Sequence, residues 1–268
     1  ILTISPYVCV LSRFHLPSKL TDDKARIGNM LISGYSESTS FNPSYRQSEQ
    51  SLNGQDRLSA LFSGTPSRRV QAKDHVFCEG DMLRHVYRVE AGLICTYRMM
   101  PDGRRQVMGF AFPGDIVGLG TGTDHNTSAQ AIRPTRLRCL PVAVLCEAMR
   151  NDAELTATLY EALAEELRNA RELLLSVCQR SAAERVAAFL SALAQRNERR
   201  GLDSSNIDLG MTRTDIADFL GLTIETVSRT FTKFRITGLI DIAQCTAIRI
   251  VDRSGLERLA AGNVSRND

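Results

Sequence analysis

Hydrophobic and polar positions change their period several times along the chain. From about Leu58 to Val144, short β-type runs alternate with turn signals. Asp74 to Phe77, Val86 to Glu90 and Leu93 to Tyr97 are separated by Glu79-Gly80-Asp81 and by Ala91-Gly92. Pro101-Asp102-Gly103, the run Gln106 to Phe110, and Pro113-Gly114-Asp115 come next. This regular spacing predicts an antiparallel β-barrel or roll. From about Ala143 to Gln179 the chain has no Gly or Pro, and Asn151 or Asp152 can cap a long helix. On a heptad frame Leu163, Ala170 and Val177 share one seam position and Leu167 and Leu174 the other, with Leu159 and Leu173 alongside. The repeat holds for roughly three heptads and is edged by Glu161, Glu165, Glu166, Arg168 and Arg171, which favours a dimer seam over a helix packed only on its own domain.

Arg180 to Arg200 forms a second amphipathic pattern, with Val186, Phe189, Leu190 and Leu193 on one face and Gly201 after it. Met211 to Ile240 carries the densest set of local signals. Thr212 and Asp215 make a capping-type start. Ile216, Ala217, Phe219 and Leu220 give a short apolar face, and Gly221 supplies a turn residue that accepts positive φ. Thr223 can cap the next helix, in which Ile224, Val227, Phe231 and Phe234 recur at helical spacing, and Gly238 is the expected stop. Two short helices about a glycine turn match the helix-turn-helix pattern, whose second helix enters the major groove.

Opposite the expected buried face stand Glu225, Ser228, Arg229, Thr232 and Lys233. Arg bonds guanine bidentately and Glu accepts from the cytosine amino group, so Glu225, Ser228 and Arg229 are the expected base readers. Thr223, Thr230, Thr232, Lys233 and Arg235 are the expected phosphate contacts. A helical hairpin that merely packs would share the apolar spacing. The segment after Gly238 favours DNA: Leu239 to Ile242 and Ala247 to Val251 are β-type runs joined by a short link, a wing after the recognition helix. Ser254 and Glu257 indicate a capping box for a final helix.

Composition changes this picture little. The formal net charge is only +3, so any affinity for DNA needs locally placed charge. Apolar residues make up 43% of the chain, enough for packed cores. The seven cysteines, Cys9, Cys78, Cys95, Cys139, Cys146, Cys178 and Cys245, form no C-x-x-C pair and read as reduced, mostly buried thiols. Residues 33 to 53 are rich in Ser, Asn, Gln and Gly and read as a flexible tail. The apolar stretch Ile1 to Ser12 is too short to span a bilayer, and no membrane partner is expected. The first methionine is Met30, so the earlier residues read as upstream read-through or as part of a fragment. No catalytic constellation surrounds the four histidines, His15, His75, His85 and His125, and an enzyme is not expected.

The order of these parts, with Asp215-Ile-Ala-Asp-Phe-Leu-Gly-Leu-Thr-Ile-Glu-Thr-Val-Ser-Arg229, resembles the CRP/FNR superfamily of bacterial transcription regulators over about residues 56 to 262. The resemblance implies an α+β fold: an N-terminal antiparallel β-roll like cyclic-nucleotide-binding domains, a long dimerisation helix and a C-terminal winged helix-turn-helix. The expected division is 1–55 tail, 56–145 β-roll, 146–180 dimerisation helix (Leu159, Leu163, Leu167, Ala170, Leu174, Val177) and 181–262 DNA-binding domain. Glu225-x-x-Ser228-Arg229 looks like the FNR type rather than the CRP type, in which Arg stands where Ile224 does. The resemblance thus implies FNR-like TTGAT half-sites in a palindrome. Phe112-Pro-Gly-Asp-Ile-Val-Gly-Leu119 is similar to the FNR-side form of the β-roll motif.

Departures from the family pattern bear on the signal. Asn126 occupies the position where cyclic-nucleotide receptors carry the phosphate-pairing Arg. An iron–sulfur cluster needs four thiolates, and the N-terminal region holds only Cys9 before Cys78. His75, Cys78 and His85 do not match a haem ligand position. No cofactor and no metal are therefore expected. The remaining resemblance is to the FixK branch, whose members activate genes of microaerobic respiration and nitrogen fixation. It implies a cytoplasmic homodimer that binds double-stranded DNA and RNA polymerase. The alternative is a ligand-gated regulator of the CRP type that answers to an unidentified small molecule.

Overall fold

The computed structural model describes residues 56–120, 122–242 and 246–262. The tail expected over residues 1–55, with Cys9, and Cys245 in the wing lie outside the described residues. Residues 56–63 form a short helix, α1, whose Phe62 is buried. The strands of the roll are β1 (Ser67–Val70), β2 (His75–Phe77), β3 (His85–Met99), β4 (Arg105–Ala111), β5 (Ile116–Val117) and β6 (Ser128–Pro141). They pair antiparallel in the order β1-β6-β3-β4, with β2 added to β6 and β5 to β3.

Strands β1 and β5 are absent from the sequence reading, and two further features of this sheet differ from it. Val86 to Glu90 and Leu93 to Tyr97 are not two strands but one, β3, which runs through Ala91-Gly92 with shifts in register there. Gly92 has φ 97°, and a Cβ on it would lie 2.6 Å from the Pro134 carbonyl oxygen, so the irregularity needs glycine. The second feature is β6, a 14-residue strand absent from the sequence reading. Its apolar alternation is interrupted by Arg133, Arg136 and Arg138, yet Ala131, Leu137 and Leu140 point inward and are buried. The arginines face outward: the Nε atoms of Arg136 and Arg138 donate to the two Glu90 carboxylate oxygens at 2.8 and 2.6 Å.

Inside the roll, Val70, Val76, Phe77, Ile94, Val117 and Leu137 form a common core. A second cluster joins Phe62, Val86, Leu140, Leu145, Leu155 and Leu159. Cys95 is buried beside Tyr97 and Val107, and burial pushes its thiol up to about 11. Cys78 and Cys178 are exposed, so the expectation of mostly buried thiols holds only in part.

After the roll come α2 (Val142–Asn151) and α3 (Ala153–Gln179). Asp152 separates them and caps α3, its carboxylate accepting from the Glu154 and Leu155 backbone N–H groups. The next elements are α4 (Ala182–Arg199), β7 (Asn206–Asp208), α5 (Arg213–Leu220), α6 (Ile224–Ile236), β8 (Ile240–Ile242), β9 (Ala247–Ile250) and α7 (Arg253–Ala260). Beyond the expected hairpin of β8 and β9, β7 adds a third strand on β9. Helix α7 is capped by Asp252, which accepts from Gly255 N, and not by Ser254; Glu257 instead pairs with Arg253. One core unites Val186, Leu190, Leu209, Met211, Ile216, Val227, Phe231, Phe234, Ile240 and Leu256 with Leu93 of the roll. Among the described residues, no helix is long and apolar enough to cross a membrane.

Candidate nucleic-acid interface

The reading unit is built from local signals. Thr212 accepts from the Asp215 backbone N–H, and the Asp215 carboxylate accepts from the Thr212 N–H and hydroxyl at 2.9 and 2.7 Å. This reciprocal cap starts α5. Gly221 ends it in the left-handed region, φ 64°, ψ 41°, and turns the chain into α6. Thr223 caps α6 by accepting from the Thr226 N–H at 3.2 Å. Val227, Phe231 and Phe234 are buried and anchor α6 against α4 and α5, while the Arg213 guanidinium lies 3.6 Å above the Phe231 ring.

The opposite face is open. Glu225, Ser228, Arg229, Thr232, Lys233 and Arg235 are all exposed, as is Thr223 at the cap. Ser228, Arg229, Thr232, Lys233 and Ile236 line a shallow groove along it. Glu225 lies in the first turn, and its own backbone N–H and the Thr223 hydroxyl hold its carboxyl below the usual range, with Arg229 one turn on adding to the effect. It is therefore a charged acceptor at neutral pH, in the helix position where negative charge is favoured.

Two assignments change. Thr230 is not on the reading face: it is 8% exposed and its hydroxyl donates to the Thr226 carbonyl at 2.8 Å. Bonding to the preceding turn satisfies the hydroxyl inside the core, so Thr230 is removed from the phosphate set. Ile224 is not part of the buried face but 43% exposed, beside Glu225. Burial on α6 begins at Val227, one turn in, because the first turn projects past the core. The signal for this was positional: an apolar residue directly after a capping Thr heads a helix rather than packing beneath it.

Helix α3 presents Leu163, Leu167, Ala170, Leu174 and Val177 to solvent in the single chain, with Leu175 beside them. Leu159 belongs elsewhere. It is 2% exposed and packs with Phe62, Val86, Leu140 and Leu155, so it is a residue of its own subunit's core. Arg185 of α4 ties the end of this helix to the reading unit by donating to the Val177, Arg180 and Leu220 carbonyls at 2.6, 2.9 and 3.2 Å.

In the roll, His75 Nε2 is 2.7 Å from the Tyr97 hydroxyl, and the His125 ring stacks on Phe77 with centroids 3.6 Å apart. Burial lowers the His125 pKa, partly offset by Asp81 and Asp124. Asn126 is exposed. Among the described residues, no group of three or more His, Cys, Asp or Glu side chains could hold a metal ion.

Comparison with known proteins places both halves. A cyclic nucleotide-binding domain matches residues 67–152, and a Crp-like helix-turn-helix domain matches residues 184–259. The chain is 40% identical to the nitrogen fixation regulation protein FixK of Bradyrhizobium diazoefficiens, over 76% of this chain and 91% of that one. It is 38% identical to FixK of Azorhizobium caulinodans, over 73% and 79%. With the transcriptional activator protein Anr of Pseudomonas aeruginosa it shares 34% identity, over 74% and 81%. The solved structure of FixK2 from Bradyrhizobium japonicum covers 73% of this chain and 96% of its own, with 32% identity and a TM-score of 0.68. With its β-roll, long helix and winged helix-turn-helix in this order, the chain belongs to the CRP/FNR family of transcription regulators, a family of DNA-binding proteins rather than enzymes.

Proposed function

We propose that the protein is a homodimeric activator that reads FNR-like TTGAT palindromes and serves nitrogen-fixation or oxygen-limited respiration genes. The observation that carries this reading is the row Glu225, Ser228 and Arg229, exposed on the N-terminal half of a recognition helix whose other face is locked in the core. Glu225 accepts from a cytosine amino group and Arg229 donates to guanine, which together suit a G·C pair flanked by A·T pairs. Ile224 supplies an apolar contact for a thymine methyl group at the same end. Lys233, Arg235, Thr232 and Thr223 flank this row as phosphate partners that set its register.

The role in nitrogen fixation rests on the two FixK relatives and activation on Anr, while oxygen-limited respiration is what the resemblance to the FixK branch implies. Activation in the bacterial cytoplasm requires contact with RNA polymerase. The exposed stripe on α3 supports pairing with a second copy, which presents two recognition helices roughly 34 Å apart, one turn of DNA. Gel shifts of the purified protein without added effector test the reading. A TTGAT palindrome is retained and a scrambled duplex of equal length is not. Equal binding to both ends the sequence-specific reading, and binding only after addition of a small molecule ends the effector-independent one.

A further inference from the structure

Asp215 and Asp218 stand three residues apart on α5, which places both carboxylates on one face of the first helix of the reading unit. Both meet Arg105, the first residue of β4 in the roll. Its Nη2 lies 2.5 Å from Asp215 Oδ1 and its Nε 3.0 Å from Asp218 Oδ2. All three side chains are at most a quarter exposed. A planar guanidinium meets the two carboxylates from two different nitrogens held in one rigid fork, which a single ammonium nitrogen does not offer. Gln106, the next residue, donates to the Asp218 carbonyl at 2.7 Å, in the last turn of α5, where backbone acceptors lack helical partners. Behind this grip, Phe219 of α5 is wedged between Phe110 of β4 and Phe189 of α4, with ring centroids 5.2 and 5.7 Å apart.

The grip leaves the reading face uncovered, since Glu225, Ser228 and Arg229 of α6 remain exposed while α5 is held. It therefore restrains the orientation of α6 without blocking it. From this we infer that Arg105 is a positioning residue for DNA recognition, which holds α5, and through it α6, at a set angle to the dimer scaffold. The inference rests on the proposed reading of DNA by a dimer. Without Arg105, two largely buried carboxylates of α5 lose their counter-charge against β4, and the cost of keeping them desolvated and unpaired favours their release to solvent, which carries α5 away from β4. A dimer whose reading heads are free to rotate loses the advantage of presenting both to a palindrome at once, because the ordering is then done at the expense of binding.

The readout is the ratio of affinities for a TTGAT palindrome and for the same duplex with one half-site scrambled, measured on the full chain by fluorescence anisotropy. In Arg105→Gln this ratio falls by roughly fivefold, while contact with a single half-site stays near that of the unmodified protein. Adding Asp218→Asn to Arg105→Gln removes the facing charge and recovers part of the ratio, which a general loss of folding would not do. Should Arg105→Gln fail to fold, Asp218→Asn alone is read in its place and lowers the ratio in the same direction. Equal ratios in all variants overturn the inference. A higher ratio in Arg105→Gln also overturns it, because the grip would then be a brake. If the unmodified protein shows no preference for the palindrome, the dimeric reading itself fails, and the inference with it.

Discussion

At the scale of single residues, the proposed reading of DNA separates two kinds of contact by position on the recognition helix. Arg229 stands one turn after Glu225 on the open face, where a fork of donors suits a base edge. Lys233 stands a further turn along the same groove. Arg229→Ala is expected to lose about 1–3 kcal/mol of preference for the guanine of the half-site, measured as the difference between the TTGAT duplex and one with that guanine replaced. Lys233→Ala is expected to weaken both duplexes alike and to reduce the slope of log affinity against log salt by about one. If Lys233→Ala changed the preference instead, its role as a phosphate contact would be wrong. Thr230 is the internal control. Its hydroxyl serves the Thr226 carbonyl, so Thr230→Val acts on stability and leaves the salt slope unchanged.

At the scale of elements, the start of α5 joins a local cap to a long-range ion pair at one carboxylate. Burial alone raises the pKa of Asp215, but the hydrogen bonds from the Thr212 hydroxyl and backbone and from Arg105 outweigh it, and the carboxyl lies below its usual range. Arg105 and Asp218 are the charged side chains at this carboxylate, and the buried Cys95 thiol is nearby. A carboxyl whose folded pKa is lowered contributes stability above its unfolded value, about 3.9, and loses it as the pH falls through that value towards the folded one. Thermal melts should therefore show the unmodified protein more stable than Asp215→Asn at neutral pH, with the gap closing below about pH 4. A gap that stays constant to about pH 3 would assign the effect to packing. This cap was legible in the sequence, as were Gly221, Thr223 and the buried spacing of Val227, Phe231 and Phe234, because helix ends and faces are written in neighbouring residues. Strand β6 was not. Its outward arginines hide an alternation that only the pairing with β3 and the ion pairs to Glu90 make sense of. Strand β7 was missed for the same reason: three residues, Asn206–Asp208, become a strand only because β9 lies beside them. The Arg105 grip is likewise invisible in a chain where 110 residues separate it from Asp215.

For the whole molecule, α3 is the proposed seam that sets how many reading heads meet the DNA. Its apolar positions, the heptad seam from Leu163 to Val177 with Leu159 alongside it, fall into two environments. Leu159 closes the core of its own roll, whereas Leu174, 63% exposed, and Leu163, Leu167 and Val177 form an exposed stripe with nothing over it among the described residues. Periodicity reports that a face is apolar; it does not report what covers the face. An exposed apolar stripe of this length supports the proposed contact with a second copy, and the seam spacing suits a parallel partner helix. The two halves of the pattern therefore predict opposite outcomes. Leu167→Glu combined with Leu174→Glu places like charges across the seam, so sedimentation should show a folded monomer, and palindrome affinity should fall to that of a single half-site. Leu159→Ala opens a cavity inside one subunit and should cost about 2–5 kcal/mol of stability while the protein remains a dimer that still prefers the palindrome. If Leu159→Ala dissociated the protein, or the double glutamate variant stayed dimeric, the boundary between core and seam on α3 would have to be redrawn.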